Sequence, residues 1–342
     1  MEYVKNEICF LGMYSALLNY YEIPITEREL LIRCKKIAFQ YHYVKENTSS
    51  DHCWQQSDYC YLIGTLDTLE GIDINTVRLT EKSFLHVEDQ INYIFQVISK
   101  GNALLVYVDV FDLHYHPQYK KLHASTLVMI CGVQGDDYLV YDGYVTTIPP
   151  TYFVGYVSKN TINKAIWKEK HINTGKYWGI IVVDKGTDIF QVDTCSKISE
   201  NAQSMLMTQN AHCGVEGIRN LSFDIEQWGE QWDEEKISDN MRRIYHNITS
   251  RGGPAISRKV YRDFILYSSL FDEKAKQNIC DLLILITKKW NAIAIKAFRC
   301  SINFNIDYIR MISLELRNVA EMETILWKKM YEDVNSSYMQ IV

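Results

Sequence analysis

The pattern of apolar residues changes near residue 190, and this change constrains the fold more than any other feature of the 342-residue chain. Before that point, several runs rich in β-branched and aromatic residues are bounded by Gly or Asp, which is typical of strands. They are ALLVYVDV at 103–110, STLVMICGV at 125–133, YLVYD at 138–142 and WGIIVVD at 178–184. After it, apolar residues recur at the helical period. The sequence therefore predicts an α+β domain at 1–186 followed by an all-helical domain at 187–342.

Composition excludes several classes of function. The chain has 36 basic and 42 acidic residues, a net charge of -6 and no basic block, which argues against nucleic acid as a partner. Its longest apolar runs are too short to span a membrane, and the first ten residues lack the pattern of a signal peptide. Nine cysteines without a CxxC pair indicate reduced thiols. We expect a cytoplasmic protein with no membrane partner.

Residues 9–21 have the spacing of an amphipathic helix that begins at Cys9. Its apolar side chains are Phe10, Met13, Tyr14, Leu17, Leu18 and Tyr21. A helix N-terminus carries partial positive charge and free N–H groups, so it favours a thiolate and can bind an oxyanion. Cys9 is therefore a candidate nucleophile, although a cysteine is also a common buried packing residue.

A second helix is expected after Thr26. Thr26 can cap this helix, with Glu29 reaching back three residues later as a capping box. The apolar stripe then continues to Ala38. We accordingly predict helix as far as that residue.

A cysteine nucleophile needs a base, and His123 is the best-placed histidine. It stands just before one strand of the hairpin predicted at 125–142, whose turn is QGDD, and Asp142 ends the other strand. A helix that begins with Cys, followed by a hairpin with His and Asp, is the layout of papain-like folds. Cys9, His123 and Asp142 are thus the predicted catalytic residues.

The spacing between His123 and Gly132 allows two interpretations of the catalytic base. Papain-like chains usually place the histidine about six residues before the glycine that corresponds to Gly132, and that residue here is Thr126, which cannot act as a base. Either a bulge or an added loop lets His123 reach the site, or the base has been lost. The oxyanion donors are expected among the backbone N–H groups near Cys9, with Asn6 as a side-chain candidate.

Several segments resemble the butirosin biosynthesis protein H-like family. In the first half they are CFLGMYSALLNYY at 9–21, ITERELL at 25–31, the tract from Asp109 to His123, and GVQGDDYLVYD at 132–142. In the second half they are RGGPAISRKVYRDFI at 251–265 and WNAIA at 290–294. The resemblance implies a papain-like, bacteriocin-leader-peptidase-like domain followed by a helical domain.

The resemblance also implies an activity. Similar proteins, including those of the closthioamide type, pass an acyl group from a carrier-protein thioester to an amine and so form an amide in natural-product assembly. The expected partners are therefore an acyl or peptidyl carrier protein and an amine. No cofactor is expected, because the phosphopantetheine arm belongs to the carrier. A homodimer is compatible with this function.

Two other functions fit the same residues. A hydrolase of this fold, whether peptidase, amidase or thioesterase, would share the acyl-enzyme. A binding protein that kept the fold and lost the base would explain why Thr126 stands at the position where papain-like chains usually have the histidine. The sequence alone does not separate these from an acyltransferase.

Charged and metal-binding candidates lie just before His123. Lys120 and Lys121 are expected at the rim of the cleft, where they could bind an acidic carrier protein or simply form a solvated loop. His114 and His116 form an H-x-H pair that could bind a metal, but a histidine-rich surface loop explains the pair better, and we expect no metal.

Overall fold

The computed structural model describes residues 5–44, 59–66, 69, 72–147, 149–168, 177–190, 193–250 and 252–338. The protein is a mixed α and β structure with a helical C-terminal region, as the sequence predicts. No described helix is both long enough and apolar enough to cross a bilayer. The chain divides into two compact units, each of which is described by itself.

The first unit is built on an antiparallel six-stranded sheet. Its strands are β3 (Asp73–Phe84), β4 (Leu104–Asp109), β5 (Ser125–Gln134), β6 (Asp137–Val145), β7 (Thr151–Ser158) and β8 (Tyr177–Phe190). Their order across the sheet is β3-β8-β4-β5-β6-β7. Its helices are α1 (Cys9–Tyr20), α3 (Val87–Ser99) and α4 (Lys159–Ala165).

The hairpin predicted at 125–142 is formed by β5 and β6. Gln134 pairs with Asp137, so Gly135 and Asp136 make a two-residue turn. Gly135 has φ +58°, a left-handed conformation that glycine adopts without strain. The turn chemistry of the sequence therefore sets the register of this hairpin.

One face of the sheet carries an apolar core. Side chains of α3 and α4 pack there against alternate residues of the strands, such as Val106, Val128 and Val140. These strands are buried on both faces over much of their length, which explains their nearly continuous apolar sequences.

The second unit combines one hairpin with helices. The hairpin is β1 (Ile37–Val44) and β2 (Tyr59–Thr65). The helices are α5 (Thr194–Leu206), α6 (Gly214–Gln231), α7 (Glu234–Thr249), α8 (Pro254–Tyr267), α9 (Glu273–Ile302) and α10 (Ile306–Tyr338). In the described residues after Phe190 every regular element is a helix, as predicted.

The second predicted helix is shorter than expected. This helix, α2, spans Glu27–Arg33, and β1 follows from Ile37, so the prediction of helix to Ala38 is wrong. Lys35 adopts φ +52° and the Lys36 amide donates to the Leu31 carbonyl, a left-handed helix ending. Cys34 therefore lies in the helix ending, and Ile37 lies in strand β1.

The sequence predicts a single boundary, but the two compact units are not separated at one point in the chain, because the second unit also contains residues from the first half. The described residues after 192 belong to the second unit, close to the predicted boundary between 186 and 187. Residues 28–44 and 59–66 also belong to the second unit. Their apolar side chains pack on the helices of that unit, a long-range association that local sequence patterns do not reveal.

Candidate active site

Helix α1 lies along β5 and β6 with its first residue at the end where β5 begins. Before the helix, the Asn6 amide donates to the Gly143 carbonyl at 2.8 Å, and the Gly143 amide donates to Met13 Sδ at 3.3 Å. At the other end of the helix, burial and then the neighbouring Cys131 thiol raise the pKa of Tyr20. Tyr20 Oη donates to the Gly101 carbonyl at 3.0 Å and Tyr21 Oη to the Ala103 carbonyl at 2.8 Å, just before β4, whose first residue pairs with Ile130 near the far end of β5. Cys9, at the opposite end of α1, therefore lies toward the end of β5 that follows His123.

Glu27 fixes the backbone that leads into α1. Its carboxylate accepts hydrogen bonds from the amide of Glu7 at 3.1 Å and 3.2 Å and from the amide of Ile8 at 3.1 Å. Cys9 is half-buried and is the first residue of the helix. Amides in the first turn of a helix have no acceptor within the helix, so this turn can present donors to an oxyanion.

His123 is held by an aspartate at the end of β4. Its Nδ1 lies 2.6 Å from Asp109 Oδ2. The other oxygen, Oδ1, accepts from the amides of Phe111 at 3.0 Å and Ala124 at 3.1 Å. One carboxylate therefore ties together the end of β4, the following turn and the residues before β5. With Nδ1 bound to a carboxylate, Nε2 is the ring nitrogen suited to exchange a proton with a thiol.

Phe111 supports the imidazole from its ring face. The two rings are 4.0 Å apart between centroids with an interplanar angle of 17°. Lys120 Nζ lies 4.5 Å from the centroid of the same Phe111 ring and 2.6 Å from Asp112 Oδ1. The hydrogen bond to Asp112 raises the pKa of Lys120. The side chain of His123 is 32% exposed, so a substrate could reach the supported ring.

The loop before β5 explains how His123 reaches this position. Residues 110–124 fold into successive turns, starting with a 3-10 helix at Val110–Asp112. Strand β5 begins only at Ser125, so the alternation of side chains in a strand does not apply to His123. Thr126, which holds the register position of the histidine in papain-like chains, is buried and pairs with Val108.

Asp142, the predicted partner of His123, has other contacts. It is fully buried in β6, where it accepts from Tyr115 Oη at 3.3 Å and from the Tyr144 amide at 3.1 Å. Burial and then the Asp142 charge raise the pKa of Tyr115. The sequence predicts Asp142 as the group that orients His123, but the structure places Asp109 at Nδ1. The reason is that Asp109 pairs with Ser125, two residues from His123, while Asp142 lies deeper along β6.

Asn6 lies beneath α1. Its side chain is 4% exposed and sits where a Cβ on Gly12 or Gly143 would be, so both glycines are needed for its packing. Its Oδ1 accepts from Tyr141 Oη at 3.4 Å, and its Nδ2 has no hydrogen-bond partner among the residues that the structure describes. Its role as an oxyanion donor stays a prediction.

The remaining predicted residues lie in the loop before His123. Lys121 is exposed, whereas Lys120 is engaged with Asp112 and Phe111. His116 is buried: its Nδ1 accepts from the Gln118 amide, and its Nε2 lies 3.3 Å from Thr146 Oγ1. Among the described residues, no three His, Cys, Asp or Glu side chains are grouped so that they could hold a metal ion.

Asp109, Phe111 and Glu27 are site residues that sequence reasoning missed. A usable signal existed for Asp109, because an aspartate that ends a buried strand and precedes a turn can cap that turn. No local signal marks Glu27, whose contact with the start of α1 spans 20 residues of sequence.

Comparisons with known proteins concern mainly the second half of the chain. Residues 173–330 match a domain family described as a domain of unknown function (DUF4872). This match extends from β8 through most of α10. No curated protein matches the chain.

Proposed function

We propose that this protein is a papain-like cysteine acyltransferase that forms amides. The observation that carries the proposal is the 2.6 Å contact between His123 Nδ1 and Asp109 Oδ2, at the end of the sheet where α1 begins with Cys9. An oriented imidazole near a thiol at a helix N-terminus is the arrangement that covalent acyl transfer requires. Cys9 is then the nucleophile, His123 the base and Asp109 the orienting group.

The first half-reaction forms an acyl-enzyme. His123 Nε2 takes the Cys9 thiol proton, and the thiolate attacks the thioester carbonyl of the donor. The bond from carbonyl carbon to the donor sulfur breaks, and His123 returns the proton to that departing thiolate. First-turn amides of α1 stabilise the oxyanion of the tetrahedral intermediate.

The second half-reaction forms the amide. The amine attacks the acyl-enzyme carbonyl and gives a proton to His123, and the bond to Cys9 Sγ breaks. The proton then passes to Cys9, which restores the starting enzyme. No nucleotide is consumed, because a thioester is already activated.

The donor and acceptor follow from the family resemblance of the sequence. We propose a carrier-protein thioester as donor and an amine as acceptor, in a cytoplasmic natural-product pathway. The phosphopantetheine arm of the carrier would bring the acyl group to Cys9.

A hydrolase is the second candidate, and the exposure of the site favours it. Water can approach an imidazole that is 32% exposed, and it competes with the amine for the same acyl-enzyme. An inactive binding protein is less well supported, because it would not need a histidine held by both a carboxylate and a stacked ring.

Product analysis separates these functions. The protein is incubated with an acyl-loaded carrier protein, with and without an amine. Formation of an amide in excess of free acid supports the transferase, free acid alone supports the hydrolase, and neither product contradicts both.

Two cysteine variants test the nucleophile. Cys9→Ala should lower turnover by about 10³-fold or more, because the covalent step is lost. Cys195→Ala is the matched control, since Cys195 also lies in the first turn of a helix but burial and Asp193 raise its thiol pKa. Cys195→Ala should keep full turnover.

A further inference from the structure

The two edges of the six-stranded sheet differ in charge. Strands β3 and β7 are the edges among the described strands. Edge strands usually carry charged residues that prevent pairing with other chains. β3 does so, with exposed Arg78 and Lys82. β7 does not, because no Asp, Glu, Lys or Arg occurs from Gly143 to Ser158.

β7 also exposes large apolar side chains. Tyr152, Val154 and Tyr156 alternate along the strand and are 44%, 36% and 51% exposed. On the opposite face of the strand, Phe153 and Val157 pack with the apolar core of the first unit. The exposed side chains therefore form one stripe next to an edge that pairs with no other strand among the described residues.

The sequence of β7 is complementary to itself. If two copies pair antiparallel about Val154, each Tyr152 lies opposite Tyr156 of the other copy, and the two Val154 residues face each other. Aromatic and β-branched cross-strand pairs stabilise a sheet. A pair related by two-fold symmetry also closes on itself, so it makes a dimer and not a fibre.

We propose that a second copy of this chain binds to β7, so that two six-stranded sheets join into one. The uncharged edge gives no repulsion between like copies, and the stripe supplies the apolar contact. This inference does not depend on the proposed function, since it involves none of the candidate catalytic residues.

Opposite charges at one position test the two-fold pairing. Val154→Lys and Val154→Glu should each be monomeric, because two like charges would face each other. An equal mixture of the two variants should recover the dimer. Light scattering after size-exclusion chromatography measures the mass, which should be twice the 40.0 kDa of one chain for the wild type and the mixture.

Val133→Lys is the matched control. Val133 is an exposed valine, 39% accessible, in the inner strand β5, so its substitution should leave the dimer intact. Circular dichroism and thermal unfolding check that each variant folds. A wild-type mass of 40.0 kDa at all concentrations, or a Val154→Lys variant that stays dimeric, would overturn the proposal.

A cross-linking experiment covers the case in which the charged variants do not fold. Val154→Cys should oxidise to a disulfide between the two copies of residue 154, because facing residues in an antiparallel pair are within bridging distance. Peptide mass spectrometry identifies that bond. Val133→Cys should not form a corresponding bond, and equal cross-linking at both positions would contradict the pairing.

Discussion

At the scale of single residues, Asp109 organises the candidate site. One oxygen holds His123 and the other binds two backbone amides, so the carboxylate cannot turn without breaking several hydrogen bonds. Such a fixed acceptor keeps the imidazole in one tautomer and orientation. The orientation of His123 therefore depends on Asp109.

Asp109→Asn should lower kcat by about 10²- to 10⁴-fold with little change in KM. The side-chain amide of this variant has only one oxygen. That oxygen cannot both accept from the imidazole and accept the two backbone hydrogen bonds that Asp109 now accepts. Asp142→Asn should keep kcat within about tenfold, because Asp109 and not Asp142 contacts His123 Nδ1, and Asp142 accepts from Tyr115 and from the Tyr144 amide. Steady-state kinetics on folded variants measures both values. A larger loss of kcat in Asp142→Asn than in Asp109→Asn would instead support Asp142 as the orienting group, as the sequence predicts.

The sequence predicts part of this site for physical reasons. Cys9 is marked by the helical period that follows it, and His123 by its place before a strand. Asp109 is not marked as the partner, because a hairpin suggests only the contact between β5 and β6. The neighbour on the other side of β5 is β4, and strand order across a sheet is not written in local periodicity.

At the scale of elements, a buried ion pair joins the β1–β2 hairpin to the helices of the second unit. Arg258 in α8 and Glu323 in α10 are both fully buried and 2.8 Å apart. Arg258 Nη1 also donates to the Ala38 carbonyl at 2.7 Å, and the indole N–H groups of Trp290 and Trp327 donate to Glu323. This network satisfies the carboxylate and fixes the hairpin.

Arg258→Met should reduce the free energy of unfolding by about 3–5 kcal/mol, because it leaves the Glu323 charge buried without its partner. Urea denaturation measures the change. Arg262→Met is the control, since Arg262 is one turn away, partly exposed and paired with Asp263. That variant should cost less than about 1 kcal/mol. Equal losses in the two variants would mean that the buried pair has no special role.

His42 in β1 should make the stability of this unit depend on pH. Burial, and then the neighbouring His212, lower the pKa of His42 below its ordinary value of 6.5. The unfolded chain therefore takes up a proton first as the pH falls. Stability should be complete above pH 6.5 and decrease below it. His42→Gln should flatten urea midpoints measured between about pH 5 and 7, and an unchanged slope would contradict this assignment.

Elements were predicted unevenly from the sequence. α1, the β5–β6 hairpin and the C-terminal helices have clear periods or turn residues. For β1 the sequence instead predicts a continuation of α2, because its apolar residues Ile37 and Ala38 follow a helical stripe. Its extended conformation depends on pairing with β2 and on packing in the second unit, which are tertiary effects.

At the scale of the whole molecule, charge should govern how the proposed carrier-protein donor binds. The chain has a net charge of -6, and carrier proteins generally present acidic helices, so docking needs a local basic surface. Lys120 is engaged with Asp112 and contacts Phe111, whereas Lys121 is exposed. The two lysines, which the sequence does not distinguish, therefore differ in their contacts.

Lys121→Glu should raise KM for the loaded carrier and weaken its salt dependence, while leaving kcat for a small thioester unchanged. Lys120→Glu should lower kcat for both donors, because Lys120 shares the Phe111 ring that supports His123. Lys100→Glu, an exposed lysine at the end of α3, is the control and should change neither. If Lys121→Glu impairs the small thioester and the carrier equally, docking at this lysine is excluded.

The proposed mechanism requires that Cys9 carries the acyl group. Incubation with an acyl-loaded carrier in the absence of amine, followed by acid quenching and peptide mass spectrometry, measures this directly. We expect the acyl mass to appear on the peptide containing Cys9 and to disappear when amine is added, with the amide formed in equal amount. An acyl group on any other residue, or amide formation while the Cys9 peptide stays unmodified throughout, would contradict it.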